Sequence, residues 1–247
     1  MSTIIVTGSG RGIGAATALL AAERGYAVCV NYVNQADRAE QVVVKIVENG
    51  GKAIAVQADV SDESAVKAMF DRATQELGPV TALVNNAGIT GKLGRVSEVE
   101  VESLRQILNI NLLGTILCCR EAVRRMSTAL GGKGGAIVNI SSRASHYGSP
   151  GDYVHYAASK AAIDTFTFGL AGEVAAEGIR VNAVSAGVIE TEIHATAGDP
   201  DRPKRFASRI PMQRVGQPEE VAAAILWLLS DEASYCNGSV LAVSGGR

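Results

Sequence analysis

Aromatic residues are scarce in this chain: six tyrosines, four phenylalanines and one tryptophan make up 4% of it. That weakly disfavours a deep cage for a large flat ring system. Cysteine is sparse too, and Cys29, Cys118, Cys119 and Cys236 form no CxxC pair, so no zinc site and no disulfide framework is expected. Four unpaired thiols acting as small packing groups suit a reducing compartment. No apolar run is long enough to span a bilayer, and Ser2 leads straight into a strand rather than a secretory leader. The expected location is cytoplasmic. Neither sign of charge dominates: 23 basic and 25 acidic residues give a formal net charge of -2, with no basic cluster to track a phosphate backbone. Nucleic acid and membrane are excluded as expected partners, which leaves small molecules.

What is present is enough apolar material for a substantial core, 47% of the residues against 19% charged, and this excludes disorder. Short β-branched runs alternate with longer segments of helical period: Thr3–Thr7, Ala27–Asn31, Ala53–Gln57, Thr81–Asn85, Gly135–Ser141, Ile179–Val184 and Ser239–Val243. These seven runs predict a parallel sheet buried on both faces by helices, a doubly wound α/β domain over residues 1–247. A long helix is expected from Val99 to Met126, followed by an exposed connection, Arg124–Ala136. The stretch His194–Glu220 holds four prolines and two glycines in what should be a strand-to-helix crossover. A crossover of this length predicts a substrate lid or loop, over residues 192–218.

The segment TGSGRGIG, Thr7 to Gly14, sits between the first strand and the first helix. Gly10, Gly12 and Gly14 do not fit GxGxxG in that register, whereas Gly8, Gly12 and Gly14 fit GxxxGxG. Glycines there let backbone N–H groups approach a pyrophosphate at a helix N-terminus, so the context favours dinucleotide binding over a plain tight turn. The second strand ends Val30, Asn31, Tyr32, Val33, with no carboxylate to hold a ribose 2′-hydroxyl. A 2′-phosphate would meet no repulsion, and Arg11, with Arg38 as a second cation, would pair with it. NADP (NADPH) is therefore favoured, with NAD possible.

In HYAASK, Tyr156 and Lys160 stand one helical turn apart on one face, close enough to share a ligand. A tyrosine titrates near 10 in water and is a feeble base until a nearby cation favours its phenolate; Lys160 would be that cation. Taken alone, such a pair is more readily surface packing than chemistry, and Tyr153 and Tyr147 compete for the role.

Thr7-Gly-Ser-Gly-Arg-Gly-Ile-Gly14, Asn85-Asn-Ala-Gly88, Asn111, Ser142 and Tyr156-Ala-Ala-Ser-Lys160, in that order, resemble the motif series of the short-chain dehydrogenase/reductase family, of the compact single-domain Rossmann-like type. The resemblance covers essentially the whole chain. It implies that Tyr156 is the acid/base of a carbonyl–alcohol interconversion, that Lys160 lowers its pKa and holds the nicotinamide ribose, that Ser142 hydrogen-bonds the reacting oxygen, and that Asn111 holds a water relaying protons to Lys160. It further implies cofactor contacts from Gly8, Ser9, Gly10, Arg11, Gly12, Ile13, Gly14, Asn31, Tyr32, Asp59, Val60, Asn86, Ala87, Gly88, Tyr156, Lys160, Gly187, Ile189 and Thr191. Thr7 and Asn85 read equally as stitches between strand ends, and Asp59 as a helix N-cap or turn residue.

Three departures from the family pattern stand out. Ala186 replaces the usual proline, Ser244 replaces the acid often found near the end, and the Ser142-to-Tyr156 interval is one residue longer than the commonest spacing, with Ser145 as the fallback serine. His146, Tyr147, Asp152, Tyr153, His155 and His194 flank the expected site without naming a substrate. A non-catalytic dinucleotide sensor or scaffold is the alternative reading, and dehydration or epimerisation a narrower one. The resemblance also implies a homo-oligomer, dimer or homotetramer, through the long helices around Val99–Met126 and Tyr156–Glu177.

Overall fold

The computed structural model describes residues 2–247. The first half runs β1 (Thr3–Val6), α1 (Gly12–Glu23), β2 (Ala27–Tyr32), α2 (Ala36–Glu48), β3 (Lys52–Gln57), α3 (Glu63–Leu77) and β4 (Val80–Asn85). The second runs α4 (Val101–Leu108), a π-helical turn (Asn109–Leu113), α5 (Gly114–Met126), β5 (Gly135–Ser142), α6 (Ala144–Tyr147), α7 (Val154–Val174), β6 (Ile179–Ala186), α8 (Ile193–Thr196), α9 (Arg202–Ala207), α10 (Pro218–Leu229) and β7 (Val240–Val243). The seven strands form one parallel sheet in the order β3-β2-β1-β4-β5-β6-β7. The expected doubly wound Rossmann-like sheet is present, its strands differing from the sequence reading only at their ends.

Strand alternation sends neighbouring side chains to opposite faces, and both faces are buried. Ile4, Val6, Val28, Val30, Val84 and Val138 meet Ala18 and Ala21 of α1, Ile46 of α2 and Ile225 of α10. Ile5, Cys29, Leu83, Ile137 and Val181 meet Met69 and Phe70 of α3, Cys118 and Ala122 of α5, and Ala171 of α7. Cys29, Cys118, Cys119 and Cys236 are all free. Burial raises the pKa of Cys29, Cys118 and Cys119, consistent with packing groups rather than nucleophiles. No helix among the described residues is long and apolar enough to cross a membrane, and no cluster of metal-ligating side chains is found among them.

Two local expectations change. The long helix is not uniform: it widens into the π-turn at Asn109–Leu113 before α5 resumes at Gly114. At that point the helix runs against the β3–α3 loop so closely that a Cβ on Gly114 would lie 2.7 Å from Val60 Cγ2. The N-cap of α3 is Asp62, whose carboxylate accepts from the Ala65 N–H at 2.9 Å. Asp59 is a turn residue that accepts from the Ser61 N–H and hydroxyl.

At the carboxyl ends of β1 and β4 the side chains that looked like stitches are stitches. The Thr7 hydroxyl accepts from the N–H groups of Asn86 and Ala87, both at 3.0 Å, and Asn86 Nδ2 donates to the carbonyls of Thr7 and Gly8, both at 2.9 Å. Asn85 Nδ2 donates to Asn139 Oδ1, and Asn139 Nδ2 to Thr167 Oγ1, which joins β4, β5 and α7. Gly14 is wedged beneath this lattice: a Cβ there would lie 2.5 Å from Asn86 Nδ2 and 2.6 Å from the Gly8 oxygen. Overpacking of this kind costs about 1–3 kcal/mol. Gly14→Ala should therefore lower Tm by roughly 2–10 °C for a chain of this size, measured by calorimetry; an unchanged Tm would mean that the contact is not tight.

Candidate active site

The cleft opens above the lattice, beside the neighbouring ends of β1 and β4, where the helices that follow the two strands lie on opposite faces of the sheet. It encloses about 920 Å³. One end is formed by the glycine-rich turn. Arg11 precedes α1 with extended backbone and no side-chain capping bond, and the first turn of α1 carries no acid. Its unpaired N–H groups and dipole are thus left for an anion. Gly12 has φ +54°, and a Cβ on it would lie 3.2 Å from Thr191 Cγ2, so glycine lets the turn pass under the loop after β6. A pyrophosphate fits this cradle.

Gly8, Gly10, Arg11, Gly12, Ile13, Tyr32, Asp59, Val60, Asn86, Ala87, Gly88, Gly187, Ile189 and Thr191 all line the cleft with Ser142, Tyr156 and Lys160. Asn31 also lines it, but its side chain accepts from the Gly8 N–H at 3.0 Å and donates to the Ala58 carbonyl at 3.0 Å. Ser9 and Gly14 are not on the wall: Ser9 is buried and donates to the Val6 carbonyl at 2.7 Å, shaping the turn from beneath.

Tyr156 and Lys160 come from the first turns of α7, which packs along β5 and β6. Lys160 Nζ lies 5.8 Å from the centre of the Tyr156 ring and donates to the Ile140 carbonyl at 2.7 Å. Burial disfavours the charged form of each group and moves the two pKa values toward their neutral forms. The Tyr156 phenol is pushed up to about 12, chiefly by burial, with a hydrogen bond to Ser142 pulling the other way. Lys160 is brought down to about 8, again by burial, against the opposing pull of Asp164. Ser142 is the neighbour that favours the phenolate of Tyr156. The longer serine-to-tyrosine interval is taken up by α6 and the turn after it, where Gly148 and Gly151 adopt positive φ. Ser145, the fallback, donates to the Ser142 carbonyl and does not line the cleft.

Asn111 sits in the π-turn, fully buried behind the wall. Its side chain accepts from the Ile89 N–H at 2.9 Å and donates to the Ile89 carbonyl at 2.9 Å and to Ser159 Oγ at 3.0 Å. It clamps the loop after β4 to α7. The side chain thus has protein partners in Ile89 and Ser159.

Of the flanking residues, Tyr147, Asp152, Tyr153 and His194 line the cleft; His146 is exposed away from it, and His155 is buried outside it. Sequence reasoning passed over Glu192. Its carboxylate meets Arg38 Nη1 at 2.5 Å and Arg11 Nη1 at 3.2 Å, which holds it below the usual carboxylate range. It also passed over Arg202, Phe206, Arg209 and Arg247 on the far wall. Those residues come from the crossover and from the segment after β7, far apart in sequence, and no local motif announces them.

A family model described as Enoyl-(Acyl carrier protein) reductase matches residues 8–247. The uncharacterized oxidoreductase YgfF of Escherichia coli (strain K12) is 56% identical over 247 residues, covering 100% of both chains. Cis-4-hydroxycyclohexanecarboxylate dehydrogenase of Sinomonas cyclohexanicum is 43% identical over 98% of this chain and 94% of its own. Among solved structures, a short-chain dehydrogenase from Burkholderia cenocepacia J2315 in complex with NADP is similar, with TM-score 0.90, 33% identity, and 99% and 97% of the two chains covered. With its sheet order, glycine cradle and paired Tyr156 and Lys160, the chain belongs to the short-chain dehydrogenase/reductase family, as an NAD(P)-dependent oxidoreductase of small molecules.

Proposed function

We propose that the protein interconverts a carbonyl and a secondary alcohol on a small molecule with NADP(H), and that Tyr156 is the acid/base. The observation that carries this reading is the convergence of Tyr156, Ser142 and Lys160 on one stretch of the wall that also holds the glycine cradle. When bound, the nicotinamide supplies or accepts the hydride. In reduction the protonated Tyr156 gives its proton to the carbonyl oxygen, and Ser142 donates a hydrogen bond to that oxygen as charge develops on it. In oxidation Tyr156 takes the alcohol proton. Lys160, charged below about 8, holds the cofactor ribose and carries positive charge beside the phenol. Asn111 fixes the loop and helix that bear these groups. Residues 192–218, with α8 and α9, form the lid over the substrate end. A sensor that only bound the dinucleotide would have no use for a buried, proton-bearing Tyr156. The named activity of the Sinomonas relative makes cyclic hydroxy acids and their ketones the first compounds to screen.

The preference for NADP rests on Arg11 and Arg38. Both guanidinium groups already converge on one carboxylate, Glu192, and all three side chains are partly exposed. Such an ion pair is weak in water, so the more highly charged 2′-phosphate displaces Glu192 readily.

Tyr156→Phe should cut turnover by roughly 10²–10⁴-fold while leaving the NADPH dissociation constant within about twofold of the parent value, since the hydroxyl alone is lost; turnover near the parent rate would remove Tyr156 from the chemistry. The pH profile follows from the two shifts. Tyr156, at about 12, keeps its proton throughout the neutral range, so reduction should be flat there and decline as pH rises through about 8, where Lys160 loses its charge. Oxidation should gain with pH as the phenolate becomes available. Steady-state kcat/KM in both directions checks this, and a Lys160→Met variant that kept the decline near 8 would assign it elsewhere. For the cofactor, Arg38→Ala should weaken NADPH binding roughly 10–100-fold with NADH nearly unaffected, and Glu192→Gln should not weaken NADPH. Fluorescence titration reads both, and equal losses for the two cofactors would overturn the NADP preference.

A further inference from the structure

Beyond Tyr156 the cleft wall is a run of aromatic rings faced by guanidinium groups. Tyr153 stands edge-on to Tyr156 with ring centroids 5.5 Å apart. Arg202 lies over Tyr153 at 4.8 Å and over Phe206 at 4.4 Å. Phe206 is also faced by Arg209 at 5.3 Å and by Arg247 at 4.6 Å, and Arg247 and Arg143 both face Tyr147, at 5.5 and 5.3 Å. Every one of these residues lines the same cleft.

Their charges are unevenly matched. Arg202 is buried and pairs with Asp152 at 2.8 Å and Asp199 at 3.9 Å; Arg205 also pairs with Asp199. Arg143 Nε donates to the main-chain oxygen of Arg247 at 2.8 Å. The guanidinium groups of Arg209 and Arg247 have no carboxylate partner among the described residues. Ring faces hold them, and a ring face orients a guanidinium without cancelling its charge. The guanidinium groups of Arg209 and Arg247 thus leave positive charge in a concave wall that focuses its field. Such a field is unfavourable to the empty protein and is relieved by a ligand of opposite charge.

We infer that this end of the cleft takes an anionic group of the substrate, a carboxylate or phosphate, held by Arg209 and Arg247 while the carbonyl lies at Tyr156. The inference deepens the oxidoreductase reading and rests on it. It concerns a site separate from Arg11, which lines the other end of the cleft, and from Arg38, which meets that end through Glu192.

The test compares matched pairs as substrates of the full chain with NADPH: 4-oxocyclohexanecarboxylate and its methyl ester, 4-oxopentanoate and its methyl ester, and dihydroxyacetone phosphate and dihydroxyacetone. In at least one pair the charged member should have a kcat/KM about tenfold or more above its neutral twin, and added salt should shrink that ratio. A preference confined to the acids assigns a carboxylate, and one confined to the phosphate pair a phosphate. The double variant Arg209→Gln, Arg247→Gln should bring the ratio close to one, chiefly by raising KM for the charged member. NADPH titration of the same variant verifies that it is folded. The proposal is overturned if no pair favours its charged member, or if the preference survives the double substitution. Neutral ketones reduced with no preference for anions would overturn it alone and leave the oxidoreductase reading standing. Failure of the parent protein to bind either NADPH or NADH would overturn that reading first, and this proposal with it.

Discussion

The hydrogen bonds between Thr7 and the Asn86–Ala87 backbone, returned by Asn86 to the carbonyls of Thr7 and Gly8, are the constraint on which the cleft depends. A parallel sheet has no hairpin to tie neighbouring strand ends together, and the helices that follow β1 and β4 pack on opposite faces. The Thr7 N–H donates to the Val84 carbonyl at 3.0 Å, which joins the two ends through the main chain. Four short bonds made by side chains carry the tie beyond it and set the floor on which the glycine turn rests. The same economy recurs one layer deeper, where Asn31 ties the turn to β3 and Asn85, Asn139 and Thr167 tie β4 and β5 to α7. The amide groups paired in this way specify geometry, while Asn85 Oδ1 is left buried without a protein partner.

Burial gives the chemical end of the site its character. Tyr156 and Lys160 are both held in low dielectric, and each is shifted toward its neutral form, to about 12 and about 8. A tyrosine so shifted is a reservoir of one proton at neutral pH. A lysine near 8 keeps its charge at neutral pH by a narrow margin, and Ile140 accepts one of its hydrogens. The oxygens of a ribose bound there, as proposed, would restore the solvation that burial removed, so that ligand binding and charging of the lysine would reinforce one another.

The parts legible in the sequence were those governed by local rules. Alternation and β-branching marked every strand, and the glycine turn, Tyr156 and Lys160 were visible because each depends on a spacing of a few residues. What escaped notice depends on distant segments. Glu192 meets Arg11 across 181 positions and Arg38 across 154, and nothing near Glu192 marks it as a partner of either. Asn111 could be picked out, but the π-turn that holds it against Ile89 lies beside a close approach of Gly114 to Val60, a contact between segments distant in sequence. Asp59 and Asp62 both precede α3, and either satisfies a capping pattern; only the Asp62–Ala65 bond decides between them.

The formal charge of -2 conceals the largest asymmetry in the molecule. Acidic residues are spread over the outer helices in exposed pairs such as Asp71 with Lys67 and Glu76 with Arg72, where solvent screens them. The cleft instead gathers Arg11, Arg143, Arg202, Arg205, Arg209, Arg247 and Lys160 against Asp59, Asp152 and Glu192. Near-neutrality overall and positive charge in the cleft are compatible because a field is set by local arrangement and by the low-dielectric walls around it. The composition that argued against a polyanion spread over the surface is thus silent about small anions. A chain with no basic tract in its sequence can still assemble a cationic cleft, provided its arginines arrive one at a time from separate loops, as Arg143, Arg209 and Arg247 do here.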